Sequence, residues 1–274
     1  MQHTEQSRRR GGGALFAGML MLALGTVTVA SAATAGTLDD IKARGKMIVG
    51  VKSDFPPFGY VDASGKNLGF DVDIARLFAK TLLGDENKVE LVAVSSANRI
   101  PFLQSNKIDI VIASLTITDE RRQVVEFSEP YFLSGGLLLV KKESTVNSVQ
   151  ELDGKPIAVV QGSWEDKALD MLAPKSEHLK FGKVSEAVLA LKGGRAEAYT
   201  HDDVLILALA KENPDLKVAG KPYMPQPYGI AVRKGDTLFN TWVNEQLAAI
   251  RKDGTYDLLW KKHFSDIEAS LVRP

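Results

Sequence analysis

Four short polar tracts in this 274-residue chain carry residue types that could do chemistry: Lys52-Ser53, Ser114–Thr118 running on to Arg121, Gly162-Ser163-Trp164 and His201-Asp202-Asp203. Thr116-Ile117-Thr118-Asp119-Glu120-Arg121 puts two hydroxyls and a guanidinium within one turn. Arginine's planar fork matches a carboxylate through two parallel hydrogen bonds, and neighbouring hydroxyls and backbone N–H groups can complete the shell. Asp202 offers a carboxylate to an amine. A helix N-cap is the structural alternative there, and Asp203 suits the cap better, which leaves Asp202 freer. Ser163 can cap the helix that follows it while backbone N–H groups point at an anion. His201 taken alone reads as a structural histidine.

These tracts are interesting because of the elements that precede them. Met47–Val51, Val89–Val94 and Ile108–Ala113 are compact apolar runs that read as buried strands. Between them, Phe70, Ile74, Leu77 and Phe78 fall on one helical face, and Ala97–Leu103 reads as a short helix. A short helix from Leu38 to Arg44 precedes them, and Pro56 and Pro57 impose a loop through Phe55, Phe58 and Tyr60. A second set follows: strands at Ser134–Val140, Pro156–Gln161 and Ala196–Thr200, with helices at Trp164–Leu172, Ser185–Leu191 and Asp203–Lys211. Ser148-Val149-Gln150-Glu151 fits a capping box. Pro222, Pro225 and Pro227 break the pattern, Tyr228–Val232 is one more apolar strand, and two amphipathic helices close the chain. Alternating strands and helices imply parallel sheets, and ligands of such sheets lodge beyond the carboxyl ends of the strands. Two such units face to face would enclose a cleft, with all four tracts at strand ends.

Several function classes fall away. Lys+Arg and Asp+Glu both number 34, so there is no basic excess of the kind a nucleic-acid binder shows. The sequence lacks G-x-S-x-G, H-E-x-x-H, a P-loop and a G-x-G-x-x-G after a strand, and no catalytic residue or cofactor is expected. The four histidines do not cluster in sequence, and without cysteine no metal site is expected. Arg8-Arg9-Arg10, the apolar stretch from Ala14 to about Val29 and Ala30-Ser31-Ala32 form a cleavable export signal over residues 1–32. Removing Arg8, Arg9, Arg10 and Glu5 from 34 and 34 leaves 31 positive and 33 negative side chains. The expected product is a freely diffusing periplasmic monomer without a lipid anchor.

As a set, these segments resemble the polar amino-acid family of periplasmic solute-binding proteins that serve ABC importers. The resemblance rests on Gly69-Phe70-Asp71-Val72-Asp73-Ile74, on Thr116–Arg121 followed by Phe127-Ser128-Glu129-Pro130-Tyr131, on Gln161-Gly162-Ser163 and on Tyr228-Gly229-Ile230-Ala231-Val232. It implies an α/β, two-lobed periplasmic-binding-protein fold, each lobe a mostly parallel sheet flanked by helices, joined by two hinge strands. Lobe 1 would take residues 37–132 and 227–265, lobe 2 residues 135–222, with hinges near 131–135 and 224–228. The partners implied are a small L-amino acid and ABC permease subunits.

The resemblance also implies roles. Arg121 would bind the α-carboxylate with Thr116 and the backbone N–H of Ser163 or Trp164, and Asp202 with the Ser114 carbonyl would take the α-ammonium. Phe55 and Tyr60 would line the apolar side, and the family often has glycine at the Ser114 position. Lys52 and Arg99 sit where the family reads the ligand's side chain. Arg121, Lys52 and Arg99 against Asp202 make the site +2, which favours glutamate or aspartate over a zwitterion such as glutamine. Glutamine, arginine or histidine is the alternative ligand, and a cyclohexadienyl-dehydratase-like enzyme, with a cleft acid such as Glu165 or Asp166 as proton donor, is the alternative class.

Overall fold

The computed structural model describes residues 36–267, so the expected export signal at 1–32 lies outside the described residues. The first run holds α1 (Thr37–Arg44), β1 (Met47–Val51), β2 (Asp54–Phe55), β3 (Gly59–Val61), β4 (Asn67–Leu68), α2 (Phe70–Leu83), β5 (Val89–Ala93), α3 (Arg99–Gln104), β6 (Ile110–Val111), α4 (Asp119–Arg122) and β7 (Val125–Phe127). The second holds β8 (Phe132–Lys141), β9 (Pro156–Val160), α5 (Trp164–Leu172), β10 (Glu177–Phe181), α6 (Val184–Lys192), β11 (Ala198–Asp202), α7 (Asp203–Glu212) and β12 (Leu216–Tyr228). The chain then returns through β13 (Ala231–Arg233) to α8 (Thr237–Lys252) and α9 (Thr255–Phe264).

Two five-stranded sheets result, in the orders β5-β1-β6-β13-β7 and β10-β9-β11-β8-β12. In the first, β1 lies parallel to β5 and β6, while β13 is antiparallel to β6 and β7. In the second, β9 is parallel to β10 and β11, while β8 is antiparallel to β11 and β12. The expected parallel cores are present, each edged by returning strands.

Some elements differ from the sequence reading for local reasons. The loop expected at Pro56-Pro57 is the turn of a hairpin, joining β2 to β3 in a small antiparallel sheet, β2-β3-β4. β7 is only three residues long and β10, Glu177–Phe181, is half solvated, so neither announces itself in the sequence. The prolines at 222, 225 and 227 interrupt but do not end β12, whose pairing with β8 shifts register twice around them. The apolar run Tyr228–Val232 is split between the two sheets, because Tyr228 pairs with Phe132 and Ala231 with Phe127. At Ser148 the hydroxyl meets the Glu151 carboxylate at 3.3 Å and no helix N–H, so the expected capping box gives way to a 3-10 turn at Val149–Leu152.

The chain passes between the sheets twice, side by side. Tyr131 N–H donates to Tyr228 O at 2.9 Å and Ser128 N–H to Ile230 O at 2.8 Å. Aromatic rings pack under this crossing: Phe132 lies 4.8 Å from Phe58, 5.6 Å from Tyr228 and 5.1 Å from both Trp260 and Phe264. All five rings are fully buried, so the strands cross over a rigid apolar floor.

Candidate functional site

The strand ends of the two sheets face one another across a small, nearly closed cleft lined by Lys52, Phe55, Ser96, Arg99, Ser114, Thr116, Ser163, Trp164, Glu165, His201 and Asp202. Each arrives there for a traceable reason. Lys52 follows β1 directly, and Ser114 and Thr116 follow β6 after the buried run Ile110–Ala113. Ser163 is the N-cap of α5, its hydroxyl accepting the Asp166 N–H at 3.3 Å. His201 and Asp202 end β11.

The floor is strained and braced. Ser114 has φ +48°, a left-handed conformation uncommon outside glycine. Asp71 holds the turn: it accepts the Ser114 N–H at 2.9 Å, the Ser114 hydroxyl at 3.2 Å and the Tyr131 hydroxyl at 2.9 Å. Burial raises the Asp71 carboxyl to about 7, although these hydrogen bonds pull it down.

Two cations are built into the interior. The Arg99 guanidinium donates through Nη1 to Ala113 O at 2.6 Å and Ser114 O at 3.3 Å, while its Nε is buried without a partner among the described residues. Burial, and then the neighbouring Arg121, lower it to about 9. Lys52 Nζ lies 3.3 Å from Ser96 Oγ, 3.7 Å from Asp54 Oδ1 and 5.9 Å from the Phe55 ring centre. Burial lowers its ammonium to about 8 against the opposing pull of Asp54. Lys52 and Arg99 are therefore interior charges and not solvated rim residues, each 3% exposed.

The opposite wall is acidic. Glu165, Asp202 and His201 each bring a ligating atom within 4.8 Å of the others. Burial and the Asp202 charge raise the Glu165 carboxyl to about 7. Burial also acts to raise Asp202, but hydrogen bonding and charge from His201 outweigh it and hold that carboxyl below its ordinary range. Three such groups could grip a divalent ion, but Lys52 and Arg99 share the cleft and oppose a further cation, and we assign no metal there.

Arg121 lies at the cleft's flank and does not line its interior. Its Nη1 donates to Thr116 O at 2.8 Å and its Nη2 reaches across to Gly162 O at 3.2 Å. The Ser163 N–H is committed to Val160 O at 3.1 Å. Gly162 has φ +76°, and a Cβ there would meet Ala97 Cα, on the opposite side, at 2.9 Å, so glycine permits both the turn and the approach. Trp164 stacks loosely on Tyr223, ring centres 6.2 Å apart.

Residues 47–266 match the family model of the bacterial extracellular solute-binding proteins, family 3. The chain belongs to that family. This family 3 solute-binding protein is 42% identical over 228 residues to the ABC transporter glutamine-binding protein GlnH of Bacillus subtilis, covering 82% of this chain and 84% of that one. It is 28% identical over 265 residues to the glutamate/aspartate import solute-binding protein of Escherichia coli, covering 92% and 87%. A crystal structure of the solute receptor for L-cysteine of Neisseria gonorrhoeae matches with a TM-score of 0.82 and 38% identity over 86% of this chain and 97% of that one. The two-lobed α/β fold is that of the periplasmic binding proteins.

Of the expected site residues, the solute-binding protein brings Lys52, Phe55, Arg99, Ser114, Thr116, Ser163, Trp164 and Asp202 to one cleft, with Arg121 at its flank. Tyr60 is not among the lining residues. It pairs with Asp54 across β2 and β3 while Phe55 pairs with Gly59, and adjacent strand residues face opposite ways, so Tyr60 turns away from the side that Phe55 presents. The cap expectation also shifts: Asp202 occupies the N-cap position of α7 with no side-chain cap bond, while Asp203 accepts the Ser134 hydroxyl at 2.6 Å and the Val204 N–H at 2.8 Å.

Among the lining residues, Ser96 was not expected, His201 was expected to be structural, and Glu165 was expected at the cleft only as the acid of the enzyme alternative. Glu165 reads as an ordinary first-turn acid, but at 1% exposure it is a wall residue. Its position two residues after the Ser163 cap was the available signal, because the first turn of a helix that starts at a cleft must face that cleft.

Proposed function

We propose that this protein captures an L-amino acid with an uncharged polar side chain, of the glutamine kind, and hands it to an ABC importer from the extracytoplasmic side. One observation carries the reading. Among the described residues, Arg99 Nε, Glu165 Oε1 and His201 Nε2 are buried without hydrogen-bond partners, and all three residues line the same small cleft. Buried polar atoms are nearly always satisfied, so a cleft holding a donor, an acceptor and an imidazole nitrogen calls for a polar ligand with several hydrogen-bonding groups.

The charge balance selects among such ligands. The expected +2 omitted Asp54, which pairs with Lys52, and Glu165, which faces Asp202. Counting them leaves the site at +1 with Glu165 protonated and neutral with it ionised. With Glu165 ionised, a zwitterion that pairs its carboxylate with an arginine and its ammonium with Asp202 leaves four cations (Lys52, Arg99, Arg121 and the ammonium) matched by four anions (Asp54, Glu165, Asp202 and the ligand carboxylate). The similarity to the glutamine-binding GlnH is consistent with this reading. Glutamate or aspartate is the second reading, favoured by the buried Lys52.

Within this reading the α-carboxylate meets Arg121, Thr116 and the N–H groups opening α5, with the arginine fork released from Gly162 O as the lobes part. The α-ammonium meets Asp202 and the Ser114 carbonyl. Lys52, Ser96 and Arg99 face the side chain, Phe55 and Trp164 close the apolar sides, and the paired crossings near 131–135 and 224–228 act as hinges. No step of this cycle requires a cofactor, and the protein acts as a binder and not as an enzyme. Calorimetric titration of ligand-stripped protein with Gln, Cys, Glu, Asp, Arg and His tests it. Glutamine is expected to bind at least tenfold more tightly than either acid, about 1.4 kcal/mol. Tighter binding of glutamate or aspartate overturns the uncharged side-chain reading, and turnover of prephenate or arogenate overturns the binder reading.

A further inference from the structure

Glu165 enters α5 in the first turn, where an acid suits the helix dipole, yet its side chain is enclosed and its Oε1 has no hydrogen-bond partner among the described residues. The carboxylate faces Asp202 and a nitrogen of His201 within 4.8 Å. Two carboxylates that close in a desolvated wall repel strongly when both are ionised, and one proton shared between them removes the repulsion.

We propose that Glu165 makes amino-acid capture a proton exchange: the ligand's ammonium group replaces the proton held between Glu165 and Asp202, and that proton leaves to solvent. The proposal rests on the amino-acid reading above. The exchange balances: the carboxyl pair with one proton carries −1, and the ionised pair with one ammonium also carries −1. The ammonium keeps its own three protons, and the O–H bond of the Glu165 carboxyl is the one that breaks.

The surroundings of Glu165 favour this group as the proton's holder. Asp202 opposes its ionisation, while His201, the Ser163 hydroxyl and its own backbone N–H favour it, and with burial the balance sets it at about 7. Arg121 from α4 faces it, as do the rings of Tyr199, Tyr223 and Tyr228, whose hydroxyls are all pushed up by burial. Lys52 and Arg99 act on Asp202 instead. On β10, His178 and Lys180 are engaged by Asp166, at 3.2 and 3.0 Å, and not by Glu165. The Asp202 carboxyl is held below its ordinary range while Glu165 is raised, so the exchangeable proton is assigned to Glu165.

The test is calorimetry of the full mature protein with L-glutamine, which carries no group titrating between about pH 5 and 7, in two buffers of different ionisation enthalpy. At pH 6 the heats are expected to differ by close to one proton released per ligand. The affinity should then rise about tenfold per pH unit up to pH 7 and level off above it. In Glu165→Gln, whatever affinity remains becomes flat with pH and its heat independent of buffer. Binding with buffer-independent heat in the wild type overturns the exchange while leaving the amino-acid reading intact. Proton release that persists in Glu165→Gln assigns the proton to another group and overturns the role of Glu165. Absence of binding by every amino acid removes the reading and the proposal together. Should the variant not fold, the wild-type pH profile decides alone.

Discussion

At the scale of single residues, the site is organised by charges that the interior would normally expel. Arg99 and Lys52 on one wall, Glu165 and Asp202 on the other, and Asp71 beneath are all nearly or fully buried. Asp71 shows what this costs the fold. Its carboxyl stands at about 7 when folded and near 4 when unfolded, so between those values the folded state holds a proton that the unfolded state has lost. Its ionisation therefore destabilises the fold progressively as pH rises through that window, by a penalty on the order of 1–4 kcal/mol that is absent below pH 4. Asp71→Asn keeps an acceptor for Ser114 and removes the titration. Melting temperatures measured from pH 4 to 8 should show the variant gaining on the wild type as pH rises, and a constant offset would sink this account. Glu165 and Asp203, the latter at about 6 through burial, act in the same direction, so the wild-type slope is not expected to vanish in the variant.

At the scale of elements, the decisive feature is that helix starts and strand ends converge on one seam. α5 contributes Ser163, Trp164 and Glu165 from its first turn, and β11 ends in His201 and Asp202. Gly162 is what lets α5 approach. Alanine there would impose a left-handed backbone penalty of about 1 kcal/mol and push a methyl group into Ala97 across the cleft. Gly162→Ala should therefore weaken ligand affinity tenfold or more while lowering stability only by that local penalty. Titration calorimetry together with thermal melts separates the two, and an unchanged affinity would show that closure does not need this contact. These elements were largely legible in the sequence, because their apolar periodicity is set by burial on a sheet. β10 and the β2-β3-β4 sheet were not, because edge and hairpin strands are half solvated and leave no such pattern.

At the scale of the whole molecule, two sheets share one aromatic floor and are tied to each other by exposed or part-buried hydrogen bonds. Arg121 reaches Gly162 O at 3.2 Å, and Asp54 accepts the Val184 N–H that opens α6 at 3.3 Å. A cleft held by such links opens easily, as a binder that must release its cargo requires. Asp54→Ala removes one link and the partner of Lys52. Small-angle scattering without ligand should show a larger radius of gyration, and affinity should fall about tenfold, the value of one hydrogen bond of about 1–1.5 kcal/mol. A radius and an affinity equal to those of the wild type would exclude Asp54 from closure.

The sequence by itself determined the two α/β units and most of the cleft residues, because buried strands and amphipathic faces write their periodicity into the chain and polar residues at strand ends stand out against it. The tertiary structure decided the charge of the site. Glu165 looks like any first-turn acid and Asp54 like any loop acid until folding sets them beside Asp202 and Lys52. Tyr60, five residues after the lining Phe55, turns away on strand alternation. Net charge in a cleft depends on which groups are brought within a few ångströms and stripped of water, and that is a property of long-range packing, to which local sequence is blind.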